Sequence, residues 1–91
     1  MAKKAKFSRE YKVFLELLRA ERKAANLTQD ELAKRLRQKQ GFVSKCESGQ
    51  RRVDMIEARR FCIALGTSFA EFVKKVEATI EQAAPVKRTQ A

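Results

Sequence analysis

Seven basic side chains (Lys34, Arg35, Arg37, Lys39, Lys45, Arg51 and Arg52) stand between positions 34 and 52 against a single acid, Glu47, so this stretch carries +6. From Asp54 to Gln82 four bases face five acids, a balance of −1. Much of the chain's formal charge of +10 is therefore gathered on one short unit. Concentrated positive charge is the chemistry of polyanion binding, and duplex DNA is the usual polyanion. Catalysis has less to work with. There is no histidine to serve as a general base, and Cys46 and Cys62 have no partners at metal-ligand spacing. Ser44 beside Lys45 is not a dyad, because adjacent residues on a helix point about 100° apart. No catalytic residue, metal or cofactor is expected, and the chain is not read as an enzyme.

The elements that must position these charges follow from caps and apolar spacing. Leu27 to Gly49 reads LTQDELAKRLRQKQGFVSKCESG. Thr28 is a good N-cap and Glu31, three residues on, completes a capping box, so a helix is expected over Gln29 to Leu36 with Leu32, Ala33 and Leu36 on one apolar face. After the polar run Arg37-Gln38-Lys39, a second pattern of Phe42, Val43 and Cys46 predicts a helix from about Gln40 to Ser48, stopped by Gly49. Two short helices joined by about four residues bury little alone; they hold one helix proud of the surface.

Around this unit the chain predicts three more helices. Ser8 caps the first, which runs to about Ala25 with Phe7, Tyr11, Phe14, Leu15, Leu18 and Arg22 along its inner face. Asp54 with Glu57 opens a helix that uses Ile56, Phe61, Cys62 and Leu65 for the core and ends at Gly66. Ser68 with Glu71 opens the last, with Phe69, Phe72, Val73, Val76 and Ile80 on one stripe until Ala84-Pro85. The fold class is all-α. Both cysteines fall on apolar faces, which favours buried free thiols over a Cys46–Cys62 disulfide.

LTQDELAKRL and QGFVSKCESG closely resemble the helix-turn-helix of the Cro and phage-repressor family, with its L-T-Q-x-E-L-A and V-S-K-x-E-x-G signatures. The likeness extends through ALGTSFAEF, Ala64 to Phe72. The resemblance implies a compact five-helix lambda-repressor-like DNA-binding domain. Its recognition helix, about residues 40–48, would enter the major groove of double-stranded DNA, most often as a homodimer on a two-fold operator. On that docking the base readers are Gln40, suited to adenine N6 and N7, together with Gly41, Ser44 and Lys45. The phosphate contacts fall to Gln29, Lys39, Arg51 and Arg52. Arg22 and Glu47 are expected to form a partly buried ion pair. Phe42 is left between a core-edge position and contact with a thymine methyl.

Three positions depart from the family pattern. Arg37 stands where the turn usually has Gly, so it either adopts a left-handed conformation at about 1 kcal/mol or shifts the turn. Lys39 replaces the usual Ser or Thr cap of the second helix of the motif. Cys46 stands where a larger aliphatic residue is typical.

Ninety-one residues make one small domain, burying roughly 60–65% of its unfolded surface. Its expected limits are 7–84, between a flexible basic arm at 1–6 and a disordered basic tail at 85–91. The arm is either a solubilising tail or a reach toward DNA phosphates, and the frequency of short terminal charge runs favours the former. No apolar stretch suggests a signal peptide or membrane span, so a cytoplasmic, nucleoid-associated protein of bacterial or phage origin is expected. No small-molecule effector is evident. The leading reading is a sequence-specific transcriptional regulator. Its alternatives are an antitoxin or restriction-controller protein of the same fold, or a protein-interaction module that does not bind DNA. Val76 and Ile80 either meet a second subunit or pack within the monomer against Phe7 and Tyr11.

Overall fold

The computed structural model describes residues 8–83, which form five helices: α1 (Arg9–Ala24), α2 (Gln29–Arg35), α3 (Phe42–Ser48), α4 (Met55–Leu65) and α5 (Phe69–Ala83). No strand occurs among the described residues. The arm at 1–6, Phe7 and the tail at 85–91 lie outside them.

Local chemistry starts each helix where the caps stand. Ser8 Oγ accepts from the Tyr11 N–H at 3.0 Å. Thr28 and Glu31 form a reciprocal capping box with bonds of 3.1 and 2.8 Å, and Asp54 and Glu57 form another at 2.8 and 3.0 Å. At the head of α5, Ser68 Oγ accepts from the Glu71 N–H at 3.1 Å, while the Glu71 carboxylate lies 3.6 Å from Lys74 Nζ. That third box is made on one side. Left-handed residues end four of the helices or their turns: Asn26 (φ 63°), Arg37 (φ 58°), Gly49 (φ 87°) and Gly66 (φ 76°). Arg37 thus takes the strained left-handed conformation rather than shifting the turn.

The start of α3 differs from expectation. Gly41 has φ 93°, outside the helical region, so the helix begins at Phe42 and Gln40 belongs to the turn. A Cβ on Gly41 would meet nothing of the chain within 4 Å, so within the fold the glycine serves this backbone angle.

The core gathers Leu18 from α1, Leu32 and Ala33 from α2, Val43 and Cys46 from α3, Val53, Ala58, Phe61, Cys62 and Leu65 around α4, and Phe72 from α5. Two expected core positions are instead exposed, Ile56 at 55% and Val73 at 46%. The reason is angular. Ala58, Phe61, Cys62 and Leu65 follow the helical period and define the inner face of α4, and Ile56, two residues before Ala58, points away from it. Val73, one residue past buried Phe72, is turned off the α5 stripe in the same way. Val76 packs against the core, and Lys75 Nζ meets Glu21 Oε2 at 2.6 Å, tying α5 to α1. α1 rests on α3 and α5, and α2 on α3 and α4, so α3 is held on its apolar side by two neighbours.

Candidate nucleic-acid interface

The apolar side of α3 decides what its other side presents. Val43 and Cys46 are fully buried, while Ser44 and Lys45 are exposed. Phe42 is half-buried against the core, its ring 6.2 Å from that of Phe61, which places it at the core edge. Gln29, Gln40, Gly41 and Ser44 line one open cleft together with Thr28 and Asp30. The turn and the first residues of α3 thus come together with the head of α2. Gln40 is exposed and its Nε2 lies 3.4 Å from Asp30 Oδ2, a long contact that leaves the side chain available. Lys39 is exposed on the same turn, and its carbonyl accepts the Phe42 N–H at 3.0 Å. Lys45 lies on the next face of α3, outside the cleft.

Beneath this surface Arg22, 7% exposed, joins α1 to α3. Its Nε donates to Glu47 Oε2 at 2.7 Å and its Nη2 to Oε1 at 3.1 Å, while Nη1 donates to the Leu27 carbonyl at 2.8 Å. Glu47 Oε1 also accepts from Gln29 Nε2 at 2.9 Å. A carboxylate only accepts, so it fixes which end of the Gln29 amide faces inward. One N–H of that amide is used on Glu47, and the second remains.

The loop after α3 carries the two remaining arginines, and they differ. Arg51 is bidentate to Glu57, with Nη2 to Oε2 at 2.8 Å and Nη1 to Oε1 at 3.1 Å, and Nη1 also reaches the Arg52 carbonyl at 3.2 Å. Its guanidinium lies 5.0 Å from the centre of the Phe42 ring. The hydrogen bond from Arg51, aided by the Asp54 backbone N–H, holds the Glu57 carboxyl below its usual range. Burial pushes the Cys46 thiol up, an effect that nearby Arg51 partly offsets. Arg52 instead lies over Tyr11, its guanidinium carbon 4.4 Å from the ring centre. The Tyr11 hydroxyl accepts from the Val53 N–H at 2.9 Å.

Sequence reasoning missed Asp30 in the cleft, Glu57 as a partner for Arg51, and Tyr11 beneath Arg52. The Asp54–Glu57 box drew attention to Glu57 as a cap only, and no helical spacing links Tyr11 to the loop. Among the described residues, no cluster of His, Cys, Asp or Glu is suited to a metal, and no helix is long and apolar enough to cross a membrane.

Comparison with known proteins finds the same arrangement elsewhere. The helix-turn-helix family matches residues 18–72. A solved structure, an XRE-family like protein from Pseudomonas syringae pv. tomato str. DC3000, is similar at 46% identity and a TM-score of 0.73, over 77% of this chain and 85% of that one. No curated protein matches.

Proposed function

The chain belongs to the XRE-type, Cro and phage-repressor-like helix-turn-helix family, and from that premise we propose that it is a sequence-specific transcriptional regulator acting as a homodimer on a two-fold DNA operator. DNA binding by a regulator is the property of the family as a whole; the operator, the dimer and the residue roles are our reading. One observation carries it. The polar residues of the turn and of α3 meet the head of α2 along a single open cleft, while the other side of α3 is locked into the core.

In this reading residues 40–48 enter the major groove as turn plus helix. Gln40 reaches adenine N6 and N7 from the turn, ahead of the helix proper. Gly41 offers no side chain and lets the backbone approach, Ser44 meets the next base edge, and Lys45 addresses guanine or a phosphate. Gln29 uses its second amide N–H on a phosphate, and Lys39, Arg51 and Arg52 supply charge along the backbone. Arg51 contributes least, because Glu57 already holds its fork. The domain spans residues 7–84, and its place of action is the bacterial nucleoid.

Selection from a random duplex pool, followed by sequencing, tests the reading. The expected outcome is an enriched inverted repeat with half-sites about one helical turn apart, bound by two chains per duplex. An enriched site bound by one chain would remove the dimer. A pool with no enriched sequence would remove sequence-specific regulation.

A further inference from the structure

Arg52 and Arg51 are neighbours with opposite commitments. Arg51 spends its fork on Glu57 and a carbonyl. Arg52 is exposed, and no described residue hydrogen-bonds its guanidinium; its one contact of note is the face of Tyr11. A guanidinium carbon held over a ring face is restrained without spending its N–H groups on a hydrogen-bond acceptor. Its fork therefore stays open to a bidentate bond with a phosphate, with part of the ordering already done.

Tyr11 is itself held from behind. Its ring lies 5.4 Å from that of Phe14, which lies 6.0 Å from that of Phe72, a fully buried side chain. Its hydroxyl takes the N–H of Val53, the core residue next to Arg52. One side chain on α1, outside the helix-turn-helix unit, therefore contacts both the backbone of this loop and the cation it carries.

We propose that Tyr11 is a positioning residue for DNA binding, holding Arg52 over its ring as a phosphate fork. The proposal rests on the DNA-binding reading above.

The test is a double-mutant cycle on the full chain, read as affinity for a labelled mixed-sequence duplex at low salt. Tyr11→Leu weakens binding about three-fold, a typical value for an exposed cation–π contact. In the Arg52→Ala background the same substitution has no further effect, because Tyr11 acts through Arg52. Tyr11→Phe, which keeps the ring, recovers most of the loss. Arg52→Lys keeps the charge but loses the plane, and also weakens binding about three-fold. This fourth variant changes only an exposed side chain, so it decides the matter even where Tyr11→Leu unfolds. Equal weakening by Tyr11→Leu with and without Arg52 would overturn the proposal, as would undiminished binding by Arg52→Lys. Absence of binding by the parent chain would instead overturn the DNA-binding reading, and this proposal with it.

Discussion

Arg22 and Glu47, 25 residues apart, face each other as a two-bond ion pair with side chains only 8% and 4% exposed. The pair joins the end of α1 to α3, and through Glu47 Oε1 it also sets the amide of Gln29. Breaking one partner strands a poorly solvated charge, so Arg22→Met or Glu47→Gln alone is expected to lower unfolding free energy by about 3–5 kcal/mol. The double variant is expected to cost less than either single change. Denaturant unfolding of the four proteins measures the coupling. An unaltered midpoint for Glu47→Gln would show that the pair contributes nothing to stability.

The two reciprocal boxes at Thr28/Glu31 and Asp54/Glu57 were legible because a cap is a local event, a side chain reaching a backbone group three residues away. The turn at Arg37 was legible only as a choice between a left-handed residue and a shifted turn, and its φ of 58° selects the first. Ile56 was misread because its size suggested burial, whereas the phase of Ala58, Phe61, Cys62 and Leu65 decides the inner face. A helix from about Gln40 takes Gly41 into its first turn, because glycine is compatible with a helix, if weakly. Its positive φ comes from how the turn must enter α3. The Arg22–Glu47 pairing came from family resemblance, since spacing puts Arg22 on the inner face of α1 but names no partner for it. Arg51–Glu57 and Tyr11–Arg52 join a loop to two different helices, and no periodicity in the chain records such contacts.

Gln40 and the arginines should separate by readout. Gln40→Ala is expected to cost roughly 1–3 kcal/mol on a selected operator and to relax preference at one base pair. Arg52→Ala should weaken operator and mixed-sequence DNA alike and reduce the salt slope by about one. Titrations of both duplexes across a salt series make the comparison. Equal weakening of the two duplexes by Gln40→Ala would remove it from the base readers.

Cys46 and Cys62 are free and have no solvent exposure. Burial pushes the Cys62 thiol up to about 11 and raises that of Cys46 as well. The folded state therefore favours the neutral thiol. Its contribution to stability is whole below the ordinary value of 9.0 and is lost as pH rises through about 11. Two outcomes are expected: slow thiol labelling of the native protein near neutral pH, and a loss of stability over that alkaline window that is shallower in Cys62→Ala. Rapid stoichiometric labelling without denaturant would place the thiols at the surface.

Glu57 both caps α4 and holds the fork of Arg51, so its charge opposes the use of Arg51 on a phosphate. Glutamine keeps the length and the carbonyl needed for the capping box but removes the charge. With Glu57→Gln, Arg51 stays over Phe42 and its guanidinium is released to the DNA backbone. Affinity for all duplexes is expected to rise, and the salt slope to steepen by about one. Stability gives an independent check. The folded Glu57 carboxyl lies below its ordinary 4.5, so the stability it contributes is present above that value and lost as pH falls through its lower folded value. Glu57→Gln should therefore flatten the acid side of the stability profile while steepening the salt dependence of binding. A flattened acid profile with an unchanged salt slope would mean that Arg51 stays clear of the phosphates even when released, leaving Arg52 as the loop's clamp.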